Sequence, residues 1–144
     1  MRRKLYEQHR RMKTLSLTQP WATLIMIGLK NFETRSWDTK HRGPLQIHAS
    51  ATIDRAGRKL WDTDPVIKLM REHDMLGEFD ALPRGAILGE VILHGTMPTE
   101  AVKEKDREPY GDFSAGRFAW LLLVTKRFKT PIPCKGQLGL WEFP

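Results

Sequence analysis

The stretch from Ala86 to Met97 is the longest strand pattern in the chain, and it limits the fold more than any other segment. Ile87, Gly89, Val91 and Leu93 alternate with Leu88, Glu90, Ile92 and His94, so both faces are largely apolar. A strand of that kind has to be covered on both sides, as a central barrel strand is. Phe118 to Phe128 reads as a second long strand, running through Trp120, Leu121, Leu122, Leu123 and Val124 until Pro131 and Pro133 interrupt. Shorter strands over Thr14–Thr18, Phe32–Trp37, Leu45–Ala49 and Leu138–Phe143 bring the expected number to about six.

Helical spacing is found in three places. Trp21, Leu24, Ile25 and Leu29 form one apolar face, with Pro20 at the first helical position and Gly28 as a left-handed C-terminal cap. Ile53–Leu60 and Pro65–Leu76 are the others, the second capped by Asp64 and stopped near Gly77. Strands and helices do not alternate regularly enough for a doubly wound sheet. The expected architecture is α+β, mainly β: a small, partly open β-barrel with peripheral helices.

A single domain accounts for 144 residues, and a domain of that size buries a core without disulfide or metal. The lone Cys134 forms no internal bridge, and the five histidines are scattered, with His41 and His48 the only close pair, so no metal or other cofactor is expected. The formal charge of +7 suggests a polyanionic partner until it is located. Residues 1–13 hold six Lys or Arg against Glu7, a net +5, which leaves only +2 for the remainder. Bulk basicity is thus a property of a short N-terminal extension, residues 1–12, ahead of a domain over 13–144. That extension reads as a disordered basic arm, a helical addition, or the product of an upstream start with Met12 as the true beginning. It lacks the apolar stretch of a secretory signal, and no run elsewhere approaches a membrane span, so a soluble, cytoplasmic protein is expected.

Three ionisable residues lie close together at the head of the chain. In the strand over Phe32–Trp37, Glu33 and Arg35 share one face while Phe32 and Thr34 share the other, where Phe32 is expected to reach the core. Lys30 precedes the strand and is expected at the head of a Lys30, Glu33, Arg35 row. Such a row is most simply the wet side of a half-buried strand. Trp21 and Trp37 on either side favour a ligand with a flat face and a negative charge, a description that nucleic-acid bases and phosphates meet. His41 and Arg42 fall in the exposed loop 38–44. His48 is expected either to line the same cavity as Lys30 or to be a hydrogen-bonded interior histidine.

The spacing Gly28-x-Lys30-x-x-Glu33-x-Arg35, preceded by Gln19-Pro20-Trp21, resembles the ASCH (activating signal cointegrator homology) domain of the PUA-like superfamily. The likeness extends through Ser36-Trp37, His41-Arg42-Gly43, Gly85-x-x-x-Gly89, Pro133-x-Lys135-Gly136 and Trp141, as in coactivator-type members. It implies a β-barrel whose motif residues line a cleft and whose partner is RNA or another nucleic acid. Lys30, Glu33 and Arg35 match the motif itself, and Ser36, Trp37, His41 and Arg42 its extended form.

Three functions follow from the residues and the resemblance together. In a module binding RNA or single-stranded nucleic acid, Arg35, Arg42 and Lys135 contact phosphates, Trp37 or Trp21 stacks a base, and Lys30 and Glu33 meet base edges. Some members of the family resemble amidohydrolases of acetylated cytidine, a modified nucleoside, or are described as ribonucleases. In that reading Lys30 takes the proton and Glu33 assists, with Glu104 and Glu108 as candidates for the second carboxylate. The amidohydrolases, however, carry threonine where this chain has Glu33, and a neighbouring carboxylate stabilises the ammonium that a basic lysine has to lose. In the third reading the charged row is an internal ion-pair ladder beside a small-ligand or protein-interaction pocket.

Overall fold

The computed structural model describes residues 12–143; the expectations for the N-terminal extension lie almost wholly outside the described residues. Six strands form one curled sheet: β1 (Lys13–Leu17), β2 (Phe32–Arg35), β3 (Gly43–Ala49), β4 (Ala86–Pro98), β5 (Phe118–Pro133) and β6 (Leu140–Glu142). Their order across the sheet is β2-β5-β4-β3-β1-β6. Only β1 and β3 pair in parallel, with Ser16 opposite His48; the other pairings are antiparallel. Helices α1 (Trp21–Met26), α2 (Arg55–Thr63) and α3 (Pro65–Glu72) complete the expected small α+β half-barrel.

Although β2 is an edge strand well separated from β1 in the sheet order, the curl brings the two within hydrogen-bonding reach. The Arg35 guanidinium on β2 donates through Nη2 to the Ser16 carbonyl on β1 at 3.1 Å. No backbone ladder joins these strands among the described residues, so the barrel is left with a seam bridged by side chains. The candidate site occupies that seam.

The interior follows from which faces are apolar. Leu15, Leu17, Leu45, Ile47, Val91, Leu93, Trp120 and Leu122 from the sheet enclose Ala22, Ile25 and Met26 of α1. A second cluster, Leu24, Trp61, Ile67, Phe79 and Tyr110, joins the outer face of α1 to α2 and α3. A third, Ile87, Trp141 and Phe143, closes the end of the barrel near β6.

Several boundaries differ from the sequence reading, each for a local reason. Pro131 and Pro133 do not end β5. The register against β4 jumps from Gly89 opposite Arg127 to Ile87 opposite Ile132, and Pro131 falls in the unpaired bulge, where its missing amide costs nothing. Pro20 occupies the N-cap rather than the first turn of α1, after a cis Gln19–Pro20 peptide. The Gln19 carboxamide closes that turn, accepting from the Thr23 amide at 3.0 Å while donating to the Pro83 carbonyl at 2.8 Å. Gly28 does adopt the left-handed conformation, with φ +82°. Asp64 caps α3 through both the Val66 and Ile67 amides. That helix nevertheless ends at Glu72, because Asp74 takes the left-handed turn (φ +57°) before Gly77 is reached. Phe32 is only half-buried, standing edge-on against Phe113 with ring centroids 6.2 Å apart, and is no core residue. The last strand is shorter than expected, and Leu138 lies outside it, 97% exposed.

Candidate functional site

Two cavities flank the seam. The first, about 680 Å³, is bounded by Trp21, Glu33, Ser36, Trp37, Asp54, Tyr110, Asp112 and Arg117. The second, about 840 Å³, is bounded by His48, Ser50, Thr52, Cys134, Lys135, Gly136, Gln137 and Leu138. Ser16, Thr18 and Arg35 line both, so the two are compartments of one cleft with Arg35 at the divide.

Beneath the first compartment lies a ladder of charges. Lys30 is 1% exposed, with Nζ 3.6 Å from Glu33 Oε1 and a close hydrogen bond to the Phe32 carbonyl. Glu33, 8% exposed, also accepts from the Thr34 amide at 3.0 Å, and its other oxygen lies 3.5 Å from Arg35 Nη2. Strand alternation alone would put Lys30 on the face opposite Glu33, since the two are three residues apart. They meet because β2 starts only at Phe32, leaving 30–31 free to turn. The loop at Gly111 closes over the ammonium: a Cβ on Gly111 would sit 3.5 Å from Lys30 Nζ. Lys30 therefore lines neither compartment, and Glu33 stands between it and the cleft.

The indoles are held as firmly as the charges. Trp21 donates its ring N–H to the Tyr110 carbonyl at 2.9 Å, tying α1 to the 110–117 loop. Gly57 makes room for the ring; a Cβ there would approach Trp21 Cζ3 to 2.9 Å. Trp37 stands perpendicular to the buried Trp120, with centroids 4.9 Å apart, and still borders the cavity. Opposite, Arg117 donates to the Thr34 carbonyl at 3.1 Å and pairs with Asp112 at 3.5 Å. Two hydrogen bonds from Ser114 hold the Asp112 carboxyl below its ordinary pKa.

Beneath the second compartment the polar groups are neutral. The His48 Nε2–H donates to the Cys134 carbonyl at 2.9 Å, which leaves Nδ1 to accept from the Ser16 hydroxyl at 2.9 Å. The Ser16 Oγ in turn accepts from the Trp141 ring N–H at 3.0 Å. Burial pushes the His48 pKa down, only partly offset by the bond to Cys134. His48 thus lies under the second compartment and not beside Lys30. The reason is topological: β3 neighbours β1, whereas β2 belongs to the other side of the seam.

Of the residues marked in the sequence, Trp21, Glu33, Arg35, Ser36 and Trp37 gather at the first compartment, and Arg35, His48 and Lys135 at the second. His41 and Arg42 border neither. The His41 ring bonds to the Pro44 carbonyl at 2.9 Å, and Arg42 is spent on the Thr39 and His41 carbonyls and the Thr96 hydroxyl. Glu108 is equally committed, accepting from the Asn31 and Phe32 amides at 2.6 and 2.9 Å, and Glu104 opens an exposed 3₁₀ turn. The sequence reading missed Ser16, Thr18, Asp54, Tyr110, Asp112 and Arg117. A signal existed for Ser16 and Thr18 in the hydroxyl alternation of Thr14, Ser16 and Thr18; the others arrive from distant segments. Among the described residues no group of three His, Cys, Asp or Glu could hold a metal ion, and no helix is long and apolar enough to cross a membrane.

Comparison with known proteins agrees with this fold. The ASCH domain family model matches residues 15–132. Activating signal cointegrator 1 of Homo sapiens is 31% identical over 129 residues, and that of Mus musculus 30% over 129 residues, in each case 89% of this chain. The chain spans 22% of the length of those two relatives. Among solved structures, the crystal structure of a serine-to-alanine mutant of the ZmASCH protein from Zymomonas mobilis superimposes with a TM-score of 0.51 at 15% identity. That superposition covers 94% of this chain and 90% of that one, a likeness of fold.

Proposed function

The chain belongs to the ASCH-domain family, and from that premise we propose that the seam cleft binds nucleic acid, RNA or another single strand, through its first compartment. The observation that carries this reading is a roughly 680 Å³ space with two fixed indoles on its wall and Glu33 and Arg35 on its floor. That volume is in the range that encloses a small organic ligand, about 300–1,000 Å³. Indole faces stack on any base, so they recognise a strand without demanding a sequence. Glu33 accepts from an exocyclic amine, which favours cytosine, adenine or guanine over uracil. Lys30, sealed behind Glu33, fixes where that carboxylate points.

The same geometry weighs against a hydrolase that uses Lys30 as its base. A general base has to reach the proton it removes. At 1% exposure Lys30 has no path to a substrate in the cleft, and its amine is turned away toward Glu33 and the Phe32 carbonyl. Binding without lysine-driven turnover is therefore the reading adopted.

Fluorescence anisotropy with a labelled single-stranded RNA tests it. Affinity should fall steeply with salt as bound phosphates release counterions. Trp37→Ala, with its melting temperature measured alongside, should cost about 1–3 kcal/mol of binding through the lost stack. The proposal fails if no oligonucleotide, RNA or DNA, binds even at low salt.

A further inference from the structure

The two compartments of the cleft differ in charge. Around the first, each arginine already has its own carboxylate, Arg35 with Glu33 and Arg117 with Asp112, and Asp54 adds a further acid. Around the second, Arg35 and Lys135 are the only charged side chains among the described residues that line it, and none of those residues is a carboxylate. Lys135 lies exposed on the loop between β5 and β6 and makes no ion pair with any described residue. His48, held neutral, adds no charge, while Ser50, Thr52 and Gln137 offer hydrogen bonds. Arg35 at the divide commits only Nη2, to the Ser16 carbonyl and Glu33; its Nε is buried and has no partner among the described residues.

A phosphate placed in the first compartment would face three carboxylates against two guanidiniums, whereas in the second it would meet unpaired Lys135 and the guanidinium of Arg35 with no carboxylate among the described lining residues. The donor-rich edge of a base has the opposite preference. We propose that a nucleotide lies across Arg35 with its base in the first compartment and its phosphate in the second, between Arg35 and Lys135. This orientation rests on the nucleic-acid reading of the first compartment. The phosphate is either a terminal one or the internucleotide link of a strand that continues along the loop at Lys135 to Leu138.

Titration of the intact chain with cytidine, its 5′- and 3′-monophosphates, and the dinucleoside monophosphate CpC tests the orientation. At least one phosphorylated ligand should bind about tenfold or more tighter than cytidine, as expected for a charge-assisted contact. Gain with a mononucleotide identifies a terminal phosphate, and gain with CpC alone identifies the internucleotide link. Lys135→Glu, a change on an exposed loop, should abolish that gain and leave cytidine binding unaltered. The orientation is overturned if cytidine binds as tightly as every phosphorylated form, or if Lys135→Glu weakens cytidine as much as the others. Binding of cytidine without any gain from phosphate refutes this inference alone; failure of all four ligands and of long RNA refutes the nucleic-acid reading with it.

Discussion

The Lys30, Glu33, Arg35 ladder under the first compartment and the Ser16, His48, Trp141 network under the second are both chains of three side chains, and they meet at one residue of β1, on which the ladder ends and through which the network passes. Arg35 binds the carbonyl of Ser16, while His48 binds its hydroxyl. The ladder is made of full charges: Lys30 and Glu33 lie almost entirely out of water, Arg35 is a quarter exposed, and the single carboxylate stands between the two cations. The network carries no charge, and the direction of each hydrogen bond is set by the carbonyl of Cys134 at one end and the indole N–H of Trp141 at the other. A charged chain is vulnerable to the loss of one member, because the remaining charge stays buried. A neutral chain tolerates that better but has no room for an added atom and no place for an added proton.

The largest effect is expected from breaking the ladder. Lys30→Met fills much of the same volume and leaves Glu33 buried with only Arg35 beside it. Removing one partner of a buried pair costs about 3–5 kcal/mol, and the low end is expected here because Arg35 remains. The urea midpoint measures it. Lys30→Met combined with Glu33→Leu should recover part of the loss, since no carboxylate is then buried and Arg35, a quarter exposed, keeps its bond to the Ser16 carbonyl. If the single variant costs under about 1 kcal/mol, the ladder behaves like an exposed ion pair and the contrast between charged and neutral chains collapses.

An intermediate effect is expected from crowding the network. A Cβ on Gly136 would fall 2.6 Å from His48 Cε1 and 2.7 Å from Ser16 Oγ. Gly136→Ala should therefore cost about 1–3 kcal/mol, the usual penalty for overpacking. Gly95→Ala, where a Cβ meets nothing within 4 Å, is the control and should change the melting temperature little. Equal effects at the two positions would mean that the loop over His48 yields freely, and that the network is loosely held.

What could be read in the sequence divides along the same line between local and distant causes. Gly28, Asp64 and the hydroxyl alternation of β1 are set by the residues next to them, and each behaves as its pattern indicates. The long strands β4 and β5 were visible because their apolar runs leave no other way to be covered. Phe32 was misjudged because the partner that shields it is Phe113, far along the chain, rather than the barrel core. For His48 strand phase left two places open, beside Lys30 or as a hydrogen-bonded interior histidine, because it says which face a residue is on but not which strand lies next to it; the buried, doubly hydrogen-bonded ring matches the second. The walls contributed by Asp54, Tyr110, Asp112 and Arg117 depend on where α2 and the loop before β5 come to rest. No spacing within one segment encodes that. The motif marked the floor of the cleft, and tertiary packing supplied the rest.

The smallest effect is expected from protonating the network. In the unfolded chain His48 titrates near the ordinary imidazole value of 6.5, and burial lowers its pKa in the folded protein. Well above pH 6.5 the ring is neutral in both states and the network contributes in full. As the pH falls below 6.5 the unfolded chain gains a proton that the folded chain refuses, so stability declines until the lower folded value is passed and then levels off. Protonation of Nδ1 would also turn the Ser16 hydroxyl away, because a cationic ring has two donors and no acceptor. Denaturation midpoints measured from about pH 7.5 down to about 5 should therefore fall more steeply for the natural chain than for His48→Gln, whose amide does not titrate. Parallel profiles would show that His48 accepts a proton without cost, and the neutral network would then have no claim to differ from the charged ladder on the other side of Ser16.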